Sequence, residues 1–263
     1  MFQSKFTTPL AIAALGCLIG FGAEAHEFVA SSKTTPANGK DTAAFILDST
    51  HVFGTPEEAE APKHVRAQLI TPSATTKLDV SENADVPNLT GTFTISKEEP
   101  AWLVGHRLPV IWSQTPDGWK EGGPDAHPDA VASSRFEKFS KNLTGGSQNA
   151  DFISSPMGHK LEIVPLSDPR MTAIGQDVAV QILLDGQPYS TSVLATYAGF
   201  TDTPSSYAYY TETFSDDRGS GIAKIRISAP GLWMVRVAAD VPDSDASVRV
   251  HNLRATLTFD VSQ

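Results

Sequence analysis

The sequence predicts an all-β protein made of two sandwich-like halves, and three observations support this fold class. Short runs of β-branched and aromatic residues recur along the chain, separated by Gly, Pro, Asp and Asn, as in strands joined by turns. These runs do not alternate with the long amphipathic helices that a βαβ fold requires. In the second half, roughly seven short strands fall within about 100 residues, which is typical of an immunoglobulin-like or transthyretin-like sandwich.

The first half contains several clear strand candidates, at 42–47, 64–70, 89–96 and 102–112. Pro109 interrupts the last of them and indicates an edge or a bend, because proline cannot donate a ladder hydrogen bond.

One segment of the first half has a helical pattern. Its apolar residues approximate a helical stripe, so the sequence predicts a helix near 130–143; they are Val131, Phe136, Phe139 and Leu143. The expected organisation is an N-terminal β domain at 26–153 that includes this helix, followed by an immunoglobulin-like or transthyretin-like sandwich at 154–263. The boundary is placed near Ser154.

The first 25 residues have the pattern of a secretory signal peptide. Lys5 supplies the positive start, 9–21 is apolar, and Ala23 and Ala25 are small residues at the positions that a signal peptidase recognises. Cleavage after Ala25 would make His26 the first residue of an exported, periplasmic protein. A lipoprotein signal ending at Cys17 is the alternative interpretation.

Charge and cysteine content narrow the possible functions. The formal net charge is -10, and an acidic surface disfavours nucleic acid as a partner. Cys17 is the only cysteine, so a metal site in the mature chain would need His, Asp, Glu, Met or backbone ligands. No later segment is long and apolar enough to span a membrane.

Several motifs occur in an order that resembles a known family. His26-Glu27-Phe28 directly follows the signal segment, and His51 begins an HVFG run. The other motifs are GHKLEIVPLSDP at 158–169, LDGQP at 184–188, APGLWMVR at 229–236 and ATLTF at 255–259. Together they resemble the DUF4198 family of NikM-like periplasmic proteins, which is associated with nickel and cobalt uptake.

The resemblance implies a periplasmic protein that handles a divalent transition metal and works with a membrane metal transporter. Relatives often carry a histidine after the tryptophan-containing strand and an Asp-Trp-Glu-Ser run before the last strand. This chain has 238–240 and 249–252 there, reading AAD and RVHN. His251 is the imidazole that could substitute in this stretch.

His26 is the strongest candidate metal ligand. As the first mature residue it would offer an α-amine and an imidazole, a chelate that suits Cu(II) or Ni(II). Three further histidines are candidate partners: His51 after a strand, His106 within one, and His251 at the start of the last. The expected metal is nickel or cobalt, with copper as a further possibility.

Other functions stay open. The chain has no Gly-x-Ser-x-Gly, His-Glu-x-x-His or phosphate-binding glycine motif, so we do not expect an enzyme. One alternative is a non-catalytic module that binds a protein or a glycan through exposed aromatic residues, namely Trp112, Trp119, Tyr207, Tyr209 and Tyr210. A further alternative is a copper redox enzyme that uses the N-terminal histidine.

Overall fold

The computed structural model describes residues 26–35, 41–146, 149–200, 211–214 and 219–262. The predicted signal segment and Tyr207, Tyr209 and Tyr210 lie outside the described residues. Strands dominate the described chain, which confirms the all-β fold class. Its one α-helix is α1 (Ala150–Ile153), and 3-10 turns occur at Pro62–His64 and Pro169–Met171. Within the described residues, no helix has the length and apolarity needed to cross a bilayer.

The first nine strands belong to the predicted N-terminal half and are β1 (Glu27–Thr35), β2 (Asp41–Thr50), β3 (Val65–Ile70), β4 (Thr75–Leu78), β5 (Ser81–Glu82), β6 (Leu89–Ile95), β7 (Pro100–Thr115), β8 (Gly118–Glu121) and β9 (Ala132–Gly145). The others follow α1 and are β10 (Leu161–Pro165), β11 (Asp177–Leu184), β12 (Gln187–Pro188), β13 (Ser192–Tyr197), β14 (Thr211–Phe214), β15 (Ile222–Arg226), β16 (Gly231–Val241) and β17 (Val250–Val261).

These strands form three sheets. A nine-stranded sheet has the order β14-β13-β16-β17-β9-β7-β3-β4, with β8 paired to β7. A four-stranded sheet has the order β1-β2-β6-β5, and in the third sheet β11 pairs with β10, β12 and β15. Neighbouring strands are antiparallel except β17 and β9, which are parallel.

The nine-stranded sheet is covered on both faces at its centre. On β7, Ala101 and Leu103 belong to one apolar core, together with β1, β2 and β6. Trp102 and Val104 belong to the other core, together with β10, β11 and β16. Successive side chains of a strand point to opposite faces, so β7 supplies both cores.

The helix predicted near 130–143 is wrong, because this segment is strand β9. The cause is double-sided burial. Phe139 and Leu143 enter the core shared with β10 and β11, while Ser140 on the other face bonds to the backbone N–H of Ala30 on β1. A strand buried on both faces loses the alternation of polar and apolar residues, and its apolar residues then mimic a helical stripe.

The two predicted halves share the nine-stranded sheet. The boundary predicted near Ser154 falls directly after α1, but β9 from the first half pairs with β17 from the second over nine residue pairs, from Ser134–Val250 to Asn142–Thr258. The division into two domains stays a prediction, since the continuous sheet joins both segments.

A buried carboxylate anchors the start of β1. Glu27 is 1% exposed, and its Oε1 lies 2.7 Å from Arg236 Nε and 2.6 Å from Arg254 Nη1. A buried carboxylate needs such partners to offset its desolvation. The pairs tie β1 to β16 and β17, so the residue before Glu27, His26, has a defined place on the molecule.

Candidate metal centre

His26 and His51 lie side by side because of the pairing of two strands. β1 and β2 are antiparallel, and Glu27 at the start of β1 pairs with Thr50 at the end of β2. His26 precedes Glu27 and His51 follows Thr50, so the two histidines extend the ladder by one step. Their ring centroids are 4.0 Å apart.

The chain then turns back and brings a carboxylate to the two rings. Gly54 adopts a left-handed backbone with φ of 83°, a conformation that glycine enters without steric cost. After this turn, the N–H of Glu57 donates to the carbonyl of Ser49 at 3.1 Å. The Glu57 side chain receives a hydrogen bond from the N–H of His51 at 3.0 Å.

The metal-binding atoms of His26, His51 and Glu57 converge. One ligand atom from each residue lies within 4.8 Å of the others. Glu57 Oε2 is 2.6 Å from His51 Nδ1 and 3.3 Å from His26 Nε2. Glu58 Oε2 is 3.3 Å from His26 Nδ1 on the opposite edge of the ring. All three side chains of the group are partly exposed, so an ion could reach them from solvent.

The local electrostatics favour the protonation states that metal ligands need. Burial, with the neighbouring His51 charge, lowers the pKa of His26. For Glu57, partial burial opposes ionisation, but hydrogen bonds from His51 outweigh it and lower the pKa of the carboxyl. A neutral imidazole and an ionised carboxylate are the forms that bind a cation.

A cleft of about 250 Å³ opens next to His26. Its charged lining is formed by Glu58, Glu60, Arg107 and Lys138, and its aromatic lining by Trp112, Trp119 and Phe136. Glu60 Oε2 lies 3.1 Å from Arg107 Nε, and Glu60 Oε1 lies 3.0 Å from Lys138 Nζ. Although burial opposes ionisation, these two cations lower the pKa of Glu60 to about 2.

His106 and His251 lie on the other face of the nine-stranded sheet. Arg107 faces the cleft, so the preceding His106 points away from it. His106 Nε2 is 2.7 Å from Glu137 Oε1, and His251 Nε2 is 3.0 Å from Glu137 Oε2. The structure thus brings His51, but neither His106 nor His251, to His26.

The remaining histidines also have protein partners. His64 Nε2 is 3.7 Å from Glu121 Oε1, and His127 Nε2 is 2.9 Å from the carbonyl of Glu121. The ring of His159 stacks on Phe139 at 5.2 Å.

Glu57 was not among the site residues predicted from the sequence. The available signal was an acidic pair, Glu57-Glu58, behind a Gly-Thr-Pro turn six residues after His51. Such a pair is common on protein surfaces. What distinguishes this pair from other acidic pairs is that the loop folds back to Ser49 and carries Glu57 to the two histidines. Glu162, within the 158–169 motif, pairs with Lys141 at 2.6 Å and also accepts from the N–H groups of Met157, Gly158 and His159.

Comparisons with known proteins identify a family but no activity. The family model DUF4198, described as a domain of unknown function, matches residues 23–240. No curated protein matches the chain. Among solved structures, a DUF3823 family protein from Bacteroides uniformis is similar at 12% identity, covering 90% of this chain and all of that one, with a TM-score of 0.24. A likeness at this level supports no inference about function.

Proposed function

The chain belongs to the DUF4198 family, and we propose that it binds a divalent transition metal through His26, His51 and Glu57. The observation that carries this proposal is the convergence of two imidazoles and one carboxylate within 4.8 Å. His26 directly precedes β1, His51 directly follows β2, and Glu57 lies in the loop after β2.

The donor set fits a transition metal better than calcium or magnesium. Imidazole suits nickel, copper, zinc and iron, whereas calcium and magnesium prefer oxygen ligands alone. Two imidazoles and a carboxylate, with further positions available to other ligands, are compatible with Ni(II), Co(II) or Cu(II). We rank nickel or cobalt first because of the uptake systems with which the family is associated.

The α-amine of His26 would add a fourth donor. Removal of residues 1–25 by a signal peptidase would free this amine beside the imidazole of the same residue, as the small residues Ala23 and Ala25 predict. The protein would then act in the periplasm, holding the metal for a membrane transporter. The partly exposed side chains of the group suit such a role, since a carrier has to release its ion.

A metal titration of the mature protein tests the proposal. The protein would be produced with its own signal segment, its first residue checked by mass spectrometry, and Ni(II), Co(II) and Cu(II) titrated by calorimetry. We expect one-to-one binding that is weakened at least ~100-fold by His26→Ala, given that even loss of a group supporting a ligand costs about 10–100-fold.

A second variant separates the roles of the imidazole and the amine. An extra alanine placed before His26 keeps the imidazole but moves the α-amine away. If the amine is a ligand, this variant loses affinity for Cu(II) and Ni(II) while keeping the fold. Unchanged affinity in both variants would contradict the proposal and favour the non-catalytic binding module.

A further inference from the structure

We propose that the cleft next to His26 binds a small organic acid with a flat ring. This acid would itself chelate the metal ion. The protein would then take up the metal together with this co-ligand rather than as a bare ion. This inference rests on the proposed metal site, because His26 belongs both to the metal-binding group and to the cleft lining.

A β-bulge places the two kinds of cleft lining on one face. Before the bulge, Arg107 pairs with Lys138; after it, Val110 pairs with Phe136. The two residues between them, one of which is Pro109, therefore oppose a single residue of β9. With regular alternation from Arg107, Trp112 would lie on the opposite face of the strand; the bulge shifts the alternation by one residue and returns Trp112 to the face of Arg107.

The aromatic part of the cleft is suited to a flat ring. Trp119 on β8 pairs with Gln114 of β7, which puts it on the same face as Trp112. Its ring meets Phe136 edge-on, with the centroids 6.0 Å apart and an interplanar angle of 84°. Trp112 and Trp119 are only partly buried, so their ring surfaces can contact a ligand, as aromatic pairs do in offset or edge-to-face arrangements.

The charged part of the cleft is suited to a carboxylate. The lining holds two carboxylates and two cations, but Glu58 Oε2 lies against the His26 ring at 3.3 Å. Only Glu60 pairs with Arg107 and Lys138, so two positive charges surround one carboxylate at that end of the cleft. The Lys138 side chain is 7% exposed, and Glu60 Oε1 is the hydrogen-bond acceptor of its ammonium group among the described residues. An ammonium has three N–H donors. A carboxylate in the cleft would accept from the remaining N–H groups of Lys138, whose burial without a partner costs free energy.

The size of the cleft and its position limit the ligand. A volume of about 250 Å³ is below the range of about 300–1,000 Å³ of drug-sized sites, which favours one ring with its carboxylate over a peptide or a sugar chain. Three side-chain donors, or four with the α-amine of His26, do not fill the coordination of an octahedral ion, so a chelating acid in the cleft can supply the remaining ligands.

Picolinate, a pyridine ring with an adjacent carboxylate, is a suitable probe because it chelates Ni(II) through its ring nitrogen and carboxylate. Nicotinate has the same size and charge but cannot form that chelate. The mature protein would first be titrated with Ni(II) alone and then, once loaded, with either acid, followed by calorimetry and by metal analysis after dialysis. We expect picolinate to bind one-to-one with the metal retained, and nicotinate to bind at least ~10-fold more weakly.

Two variants identify the cleft as the binding place. Trp119→Ala should weaken picolinate binding about 10-fold, the effect of losing one aromatic contact, and leave Ni(II) affinity unchanged. Phe214→Ala, an exposed aromatic residue outside the cleft lining, is the control and should change neither. Picolinate that strips the metal, or binds equally to both variants, would overturn this inference while the proposed metal site stands. Absence of Ni(II) binding in the first titration would contradict the metal site itself.

Discussion

The group of His26, His51 and Glu57 and the group of His106, Glu137 and His251 each combine two imidazoles with one carboxylate. In the first, one ligand atom of each residue lies within 4.8 Å of the others, at a partly exposed strand end. In the second, the two oxygens of Glu137 separately contact the two imidazoles, and the three residues lie on three strands. The two groups have the same residue types, so what distinguishes the proposed metal site is the direction of its donor atoms.

The reason for the difference lies in the backbone. His26 and His51 lie side by side at the ends of paired strands, and the loop that follows His51 returns Glu57 to them. His106 and Glu137 lie within the strands of a rigid sheet, whose spacing of about 4.8 Å separates neighbouring side chains. A bridging carboxylate is the arrangement that this spacing allows.

The largest expected effect is on metal affinity. His51→Ala should weaken Ni(II) binding at least ~100-fold, because it removes one of the three proposed ligands. His251→Ala removes an imidazole of the second group and should leave the affinity within about twofold. Calorimetric titration of both variants measures these affinities. An equal loss of Ni(II) affinity in the two variants would contradict the difference proposed between the groups.

A second prediction concerns stability. Glu137→Ala removes the hydrogen-bond partner of the His106 imidazole and the carboxylate beside His251 Nε2, and it should lower the free energy of unfolding by about 1–3 kcal/mol. Glu57→Ala, at the partly exposed group, should change it by no more than about 0.5 kcal/mol, while weakening metal binding. Urea unfolding of the metal-free proteins measures both values. A larger loss for Glu57→Ala would reverse the roles assigned to the two carboxylates.

The pH dependence of stability offers a third test, through His159 near the second group. Burial, with the charge of Lys141, lowers the pKa of His159 to about 4, and Glu162, His106 and Glu137 are the other charged or titratable groups acting on it. The pKa in the unfolded chain is about 6.5. As the pH falls from about 6.5 to 4, the unfolded chain binds a proton that the folded protein does not, so stability falls.

Replacing His159 with Phe removes the group that binds this proton in the unfolded chain and keeps an aromatic ring for stacking on Phe139. We expect the free energy of unfolding to decline less steeply with falling pH between 6.5 and 4. Some decline should persist, because burial also lowers the pKa of His251. Unfolding at four pH values in this window is sufficient, and a slope identical to that of the parent protein would contradict the prediction.

The smallest effect is expected at His64. Its imidazole lies 3.7 Å from Glu121 and is not part of the converging group. His64 is nevertheless a partly exposed histidine, so it controls for unspecific metal binding by surface imidazoles. His64→Ala should change Ni(II) affinity by no more than about twofold, the size of an ordinary surface substitution. A marked loss would extend the site beyond the strand end.

Much of the fold was predictable because it depends on local patterns. The segments 64–70 and 89–96 alternate polar and apolar residues, 42–47 is a short, mostly apolar run, and each is a strand in the structure. The segment 130–143 was mispredicted as a helix, because β9 is buried by different sheets on its two faces. A prediction from one segment has no information about which other segments cover it.

For the candidate site, the sequence narrows the donor types: with the lone cysteine in the leading segment, the ligands left are His, Asp, Glu, Met or backbone groups, and the predicted signal segment singles out His26. Which of these donors meet depends on the tertiary fold. The register of β1 on β2 places His51 beside His26, the turn at Gly54 returns Glu57 to them, and alternation along β7 sends His106 to the opposite face. Composition and spacing are local properties of the chain, whereas convergence of donor atoms depends on strand register, which a shift of one residue would reverse.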